Sequence, residues 1–429
     1  MKPLVTIGIL FYNQENYVFD AIQSVLDQTY ENIEVIIFDD CSMDDTVNNI
    51  KQRISELEIK TQNVIVHLAE KNSGNISANV NHIVRLSHGS YVKILGGDDM
   101  LDAEFVEKTV SYLEQFRQYG LVVTNGVVVD KDYRYGNNFD ENKTYYKGMP
   151  DFSRPTLFYA LMLQNLIFAP GVMIRKKVYD KLGLHDEQIK YEDYEFWVRC
   201  AKNKVPIGSM DVPLVIYRRA ESSVTALGVN TFLKIKDWIK CETAVKDKYL
   251  ECFNHREQVL IVIRQCCYPA KLCNEHNYTA GLDLLEDFAN KYGIRINLRS
   301  NSSYNCGYSP LYGYYQDDNV VKELVGFCKN NSIRRIALYG FGDYGKRIYG
   351  LLRTTGIQVE YIVDRNPNIN PPCEHITPND RFREVDAVFI TSSYDVESII
   401  EIIRSKIKCK IYSMDDIEYE MFCKYLDEK

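Results

Sequence analysis

Residues 34–42 read Glu34-Val35-Ile36-Ile37-Phe38-Asp39-Asp40-Cys41-Ser42, an unbroken apolar run that ends in two carboxylates. A strand that is apolar at every position is covered on both faces, as in a parallel sheet. The flanking sequence repeats the pattern: residues 4–10 form a β-rich run before Phe11-Tyr12-Asn13, residues 63–68 a third strand, and residues 91–95 a fourth before Gly96-Gly97-Asp98-Asp99. Between them, residues 17–26, 46–57 and 76–86 carry apolar side chains at helical spacing. This alternation predicts an α/β domain built on a parallel sheet.

Ligands of open parallel sheets collect beyond the carboxyl ends of the strands. Here those ends carry Phe11-Tyr12-Asn13, Asp39-Asp40-Cys41-Ser42 and Gly96-Gly97-Asp98-Asp99, three polar segments converging on one crevice. Hard oxygen ligands of this kind suit Mg2+ or Mn2+ carrying a diphosphate. Helix N-capping competes for each carboxylate. Asp44 and Asp45 read as caps, Asp39 and Asp98 as ligands.

Further along, residues 105–116 read as a helix, 121–129 as a strand, and 131–154 as a polar, aromatic loop or lid. Short strands at 171–174 and 213–217 flank a helix at 193–202, and residues 229–292 are helical in pattern. Residues 297–318, rich in Asn, Ser, Gly and Tyr, read as a linker. An α/β pattern then restarts. Ile336-Ala337-Leu338-Tyr339 is a strand, Gly340-x-Gly342-x-x-Gly345 opens a helix, and Asp364 closes the next strand. That placement meets the structural requirement of a dinucleotide fingerprint. The unit holds about four strands, whereas a complete dinucleotide site uses two βαβαβ halves. The expected domains are 1–228, 229–330 and 331–429.

A length of 429 residues exceeds one ordinary core. With 45% apolar and 26% charged residues the chain is globular. A net charge of −8 argues against nucleic acid or anionic membrane as a general partner. Tyrosine, at 32 copies, offers a flat apolar face and a hydroxyl suited to sugars and bases. The 12 cysteines include no Cys-x-x-Cys pair, which reads as free thiols in a reducing cytoplasm. No signal peptide is recognisable, and no apolar run approaches the ~20 residues of a membrane helix. The expectation is a cytoplasmic protein with peripheral contact at the inner membrane face. The helical middle and the last domain offer surfaces for a homodimer.

Residues 1 to about 225 resemble a family 2 glycosyltransferase of the GT-A fold. The matching pieces are Val5-Thr6-Ile7-Gly8-Ile9-Leu10-Phe11-Tyr12-Asn13, the helix Ala21-Ile22-x-Ser24-Val25-x-x-Gln28-Thr29, and Glu34-Val35-Ile36-Ile37-x-Asp39-Asp40-x-Ser42. Asn72-x-Gly74, Gly97-Asp98-Asp99, Glu192-Asp193 and Tyr217-Arg218 follow in the family's order. No single piece is specific, but the ordered set is.

The resemblance implies an inverting transfer from a nucleotide-diphosphate sugar, a UDP-sugar first among them. Tyr12 would stack on the base and Asp39 would hydrogen-bond to it. Asp98 would hold Mn2+ or Mg2+, with Asp99 beside it, and Asp193, paired with Glu192, would be the general base. The nucleotide-sugar contacts would further include Phe11, Asn13, Glu15, Asn75, Asn79, Gly97 and Arg218. Asn79 and Asn81 read equally as helix caps, and Trp197 as core. Two departures stand out: the first aspartate of the DXD motif is Gly96, and the histidine often found after the Tyr-Arg pair falls near Ala220. With that histidine absent, Arg218 or Arg219 would carry more of the diphosphate charge.

The implied acceptor is a glycan or lipid-linked glycan of the capsule or lipopolysaccharide type. The absence of a Gln-x-x-Arg-Trp motif argues against processive synthesis. The last domain is similar to small Rossmann-like domains appended to bacterial sugar-processing enzymes. Two other readings stay open. An oxidoreductase or epimerase centred on residues 340–364 lacks a Tyr-x-x-x-Lys pair. An inactive transferase half acting as an assembly module is motivated by Gly96 and Ala220, and opposed by Asp39, Asp98 and Asp193.

Overall fold

The computed structural model describes residues 2–61, 63–140, 143–146, 149–150, 152–153, 157–219, 231–294, 298, 318–392, 396–414 and 417. The chain forms two compact units, Met1–Leu161 with Asn165–Cys241 and Met162–Gln164 with Glu242–Lys429. Ala220 and, apart from Leu298 and Asp318, residues 297–318 lie outside the described residues.

The first unit begins as the sequence alternation predicts, with β1 (Val5–Phe11), α1 (Val18–Leu26), β2 (Ile33–Asp39), α2 (Thr46–Lys60), β3 (Val64–Leu68), α3 (Ile76–Leu86) and β4 (Tyr91–Gly96). It continues through β5 (Met100–Leu101), α4 (Phe105–Gln115), β6 (Leu121–Asp130), α5 (Leu157–Leu163), β7 (Val172–Arg175), α6 (Lys176–Leu182), α7 (Glu192–Lys202) and β8 (Ile207–Arg219). The eight strands form one sheet in the order β3-β2-β1-β4-β7-β6-β8-β5. β1, β2, β3 and β4 run parallel, and β7 reverses direction between β4 and β6. Every residue of β2 is buried, which is why it shows no polar alternation.

The order turns about β1, which pairs β2 on one side and β4 on the other, so the crevice opens where those strands end. Register puts Phe11 opposite Asp39 and Leu10 opposite Gly96, bringing the three polar segments to one level.

In the stretch read as a loop or lid, residues 131–154, the described residues 143–146 are tied to β6. Val128 N donates to Lys143 O at 2.8 Å and Tyr145 N to Gly126 O at 2.7 Å, with a bridge between Val127 and Thr144. The stretch 143–145 therefore lies along β6, joined to it by a single β-bridge. Asn125 fixes it further: Oδ1 accepts Tyr146 N at 3.0 Å while Nδ2 donates to Tyr146 O at 3.1 Å.

α8 (Thr231–Tyr249) carries the chain past the unit boundary, so the first unit extends beyond residue 228. The second unit contains α9 (His255–Glu275), α10 (Thr279–Lys291) and α11 (Asp318–Asn330). Next come β9 (Arg335–Tyr339), α12 (Asp343–Leu352), β10 (Gln358–Val363), β11 (Glu374–Ile376), β12 (Ala387–Ile390), α13 (Val396–Lys406) and β13 (Lys410–Ser413). Its five strands are parallel, in the order β11-β10-β9-β12-β13. The additional strand, β11, has three residues and leaves no periodic trace in the sequence. At the glycine turn, Gly340 has φ +101°, and a Cβ on Gly345 would lie 2.3 Å from Gly340 O, so neither position admits a side chain without displacement. Asp364 Oδ2 accepts Phe341 N at 2.6 Å, tying the acid to the turn itself.

Candidate active site

The ends of β1 and β2 are locked to each other. Asp39 is buried and accepts from Ser42 N at 2.9 Å and Ser42 Oγ at 2.5 Å. Ser42 Oγ accepts Asn13 N at 2.9 Å, and Asn13 Oδ1 accepts Met43 N at 2.8 Å. Asn13 has φ 50°, a left-handed conformation that asparagine tolerates better than most residues. Tyr12, at the end of β1, is 47% exposed. An ionised carboxylate can accept about four hydrogen bonds, so Asp39 retains acceptor capacity beyond the two made to Ser42.

Several residues expected from the sequence to contact the ligand also carry hydrogen bonds within the loops. Glu15 Oε2 accepts Asp45 N at 2.9 Å at the start of α2, and Asp44 accepts from Thr46 N and Glu15 N, each at 3.1 Å. Asn75 caps α3: its Oδ1 accepts Ala78 N at 3.2 Å. Asn79 is buried, and its Oδ1 accepts the Ser73 hydroxyl at 3.0 Å. Asp40 accepts Ser73 N at 2.8 Å and Asn72 Nδ2 at 3.1 Å, fixing the segment before α3. Phe11 is a core residue, packed so closely on Gly97 that a Cβ there would lie 2.2 Å from Phe11 Cδ1 and 2.5 Å from Gln14 Oε1.

Beyond Gly97 the turn presents Asp98, half-buried, and Asp99, buried. Their carboxylates converge. A Cβ at Gly96 would lie 3.1 Å from Asp98 Oδ1 and 3.6 Å from Asp99 Oδ2. Burial pushes the Asp99 carboxyl well above the usual range, and the Asp98 charge pushes it further, against the Arg218 N–H and the charges of Lys93 and Arg218.

Arg218 lies beneath the same turn. Its side chain is fully buried and its donors are engaged within the protein. Nε donates to Asp98 O at 2.9 Å, Nη2 to Asp20 Oδ2 at 3.0 Å, and Nη1 to the carbonyls of Lys131 and Tyr133. Its backbone N–H donates to Asp99 Oδ1 at 3.0 Å, and the guanidinium lies 4.5 Å from the Tyr17 ring centre. Nη2 also meets Met100 Sδ at 3.5 Å, so the five guanidinium N–H groups face acceptors within the protein, and Arg218 braces the Asp98-Asp99 turn. Lys93, also fully buried, donates to Pro170 O, and burial lowers its pKa to about 7.

Asp193 stands in the first turn of α7, whose position is fixed by its approach. Arg199 donates to Leu182 O at 2.8 Å and Leu184 O at 2.7 Å. Asn75 donates to Glu187 O at 2.7 Å, Asn81 to His185 O at 2.9 Å, and Ser77 to Ile189 O at 2.5 Å. Thus α3 grips the segment that delivers Asp193. Asp193 Oδ1 accepts Tyr194 N at 2.7 Å and Oδ2 accepts Asn165 Nδ2 at 3.2 Å. Burial raises this carboxyl's pKa, opposed by those two hydrogen bonds. Glu192 opens the helix, but its side chain lies outside the described parts. Trp197 is buried, as expected of core.

Asn165, Asp20 and Lys93 escaped the sequence reading. Lys93 carried one visible signal, a lone cation inside an apolar strand. Asn165 and Asp20 sit far from their partners along the chain and show no local pattern.

The first unit thus combines a mixed α/β sheet, two carboxylates after β4 and a half-buried acid in the first turn of α7. The description "Glycosyl transferase family 2" matches residues 6–183. An uncharacterized glycosyltransferase of Haemophilus influenzae is 30% identical over 200 residues, 47% of this chain and 72% of that protein. Uncharacterized glycosyltransferase MJ1057 of Methanocaldococcus jannaschii is 28% identical, over 51% of this chain and 71% of its own length. The putative teichuronic acid biosynthesis glycosyltransferase TuaG of Bacillus subtilis is 34% identical over 136 residues, 30% of this chain and 52% of that one. The chain belongs to glycosyltransferase family 2, and its first unit has the GT-A arrangement.

Proposed function

We propose that the protein transfers one sugar from a nucleoside-diphosphate sugar, a UDP-sugar first among them, to a hydroxyl of a growing surface glycan, inverting the anomeric centre. The observation that carries the reading is Asp193, a half-buried carboxylate held at a helix start by Asn165, with a pKa raised by desolvation. A carboxylate with a raised pKa that stays anchored in one orientation is suited to take a proton from an acceptor hydroxyl. Asp193 accepts that proton as the acceptor oxygen attacks and the diphosphate leaves from the opposite face.

At the other end of the crevice, Tyr12 stacks on the base and Asp39 accepts from it. Between the two ends, Asp98 with Asp99 would hold a Mn2+ or Mg2+ ion. Among the described residues no group of three or more His, Cys, Asp or Glu could hold a metal. The two converging carboxylates nevertheless fit an ion whose remaining ligands are diphosphate and water. When bound, that ion would neutralise charge on the leaving diphosphate.

The likeness to the putative teichuronic acid biosynthesis glycosyltransferase TuaG supports polysaccharide biosynthesis, within which a capsule or lipopolysaccharide type of glycan is the product we propose. Among the described residues no helix is long and apolar enough to cross a membrane. As part of the proposal, the enzyme works at the inner membrane face by peripheral contact, on a glycan or lipid-linked glycan. A Rossmann-like role for the second unit is structural in this account, since Asp364 already serves the Phe341 N–H.

Thermal-shift binding of UDP, GDP, CDP and TDP, each with and without Mn2+, tests the reading. A native-state ligand raises apparent stability, so one nucleotide should respond, more strongly with metal. Silence toward all four, alongside a response to NAD, would overturn it in favour of the second unit.

A further inference from the structure

Two histidines meet where α3 covers the outer strands of the large sheet. His67 lies on β3, the strand at the sheet's edge, in register with Phe38 of β2. His82 belongs to α3. Their ring centres are 4.1 Å apart, with planes at 41°. Phe38 backs both rings, stacking on His67 at 4.9 Å and meeting His82 edge-on at 5.2 Å. Both histidines are half-buried, and among the described residues neither ring makes a hydrogen bond or ion pair with the protein. No ring nitrogen of either is sealed in the core without a partner, so solvent reaches them.

We propose that His67 and His82 together bind one divalent transition ion of the class that takes imidazole nitrogen, Ni2+, Cu2+ or Zn2+. The site is separate from the carboxylates of Asp98 and Asp99 and does not rest on the transferase reading. Two imidazoles bound side by side to one ion, through bonds of about 2.0–2.1 Å, have ring centres roughly 4–5 Å apart. The pair already stands at that separation. Water completes the coordination of the ion. Because Phe38 holds both rings beforehand, little side-chain freedom remains to be lost on binding. One like charge stands nearby: Arg85, three residues along α3 from His82, which Glu187 already pairs at 3.0 Å. The edge strand and the helix otherwise share an apolar cluster that includes Ile65 and Ile83. An ion held by one ligand from each would cross-link β3 to α3, and so stabilise the folded state.

Ni2+ titration of the full chain tests this, by calorimetry and by thermal shift. Wild type, His67→Phe, His82→Phe, the double variant and Asp98→Ala are compared, with Mg2+ as the oxygen-seeking control. Phenylalanine keeps a ring against Phe38 and removes the nitrogens. Wild type should bind an equivalent of Ni2+ that Mg2+ does not displace, and its Tm should rise with it. Each single variant should weaken that binding by about a hundredfold or more, since even an outer partner of a metal ligand is worth about 10–100-fold. The double variant should lose nothing further, because the two rings make one site. Asp98→Ala should bind this equivalent as wild type does. Without any substitution, paramagnetic Ni2+ should broaden the ring resonances of two of the seven histidines together. The inference is overturned if wild type shows no such equivalent, or if either single variant keeps it. Losses that add in the double variant would overturn it by making two separate sites. Loss of the Ni2+ response in Asp98→Ala would overturn it by placing the ion at the carboxylates. Broadening of no histidine, or of one alone, would do the same without relying on any variant.

Discussion

The side-chain amide of Asn165 donates to Asp193 Oδ2 across 3.2 Å, although the two residues belong to different elements, before β7 and at the start of α7. This bond favours the charged form of an acid that burial otherwise pushes toward neutrality. Orientation and basicity are thus set together.

The first prediction concerns pH. A base must be ionised to act, so kcat/KM should fall on the acid side through a limb above the usual carboxylate range. Asn165→Ala withdraws a hydrogen bond from the charged form and should move that limb to higher pH. Profiles of kcat/KM against pH for the two proteins check it, and coincident limbs would contradict the assignment.

A second prediction follows from the same raised pKa. The folded state holds the Asp193 proton to higher pH than the unfolded chain does. The associated stability is therefore present at low pH and lost as pH rises through the folded value. Asp193→Asn, neutral throughout, should raise Tm at neutral pH relative to wild type. Thermal scans at several pH values should show the two proteins converging in acid.

Arg218 supplies a third. Removing it leaves the carboxylate of Asp20 without its buried partner and the Asp98-Asp99 turn without its brace. Arg218→Ala should lose about 3 kcal/mol or more of stability, the usual cost of breaking a buried pair. Denaturant unfolding measures it; a loss below about 1 kcal/mol would show that the turn does not depend on this residue.

The fourth concerns the metal site. Asp98→Ala should abolish the Mn2+-dependent part of nucleotide binding while leaving the metal-independent part. Calorimetric titration of UDP with and without Mn2+ separates the two, and an unaltered metal effect would place the ion elsewhere.

Much of the first unit was legible because its order is local. Strands such as 34–39 are buried along their whole length and announce it in composition. The carboxylates at strand ends follow from topology. The roles of individual side chains were less legible. Glu15, Asn75 and Arg218 stand where a ligand would be expected, but their hydrogen bonds go to partners brought close only by folding, such as Asp45, Glu187 and Asp20. The stretch from 131 to 154 looked like a lid because it is polar and short of apolar rhythm. Its attachment to β6 runs through backbone groups and Asn125, which periodicity does not report.

The most direct test of the central claim is turnover by Asp193→Asn. Sugar transfer or donor hydrolysis should be followed with the nucleotide sugar whose diphosphate gives the thermal shift. The account predicts a fall of about 10²-fold or more in kcat, with the nucleotide shift preserved. Turnover at the wild-type rate, with that shift intact, would remove Asp193 from the chemistry and contradict the account.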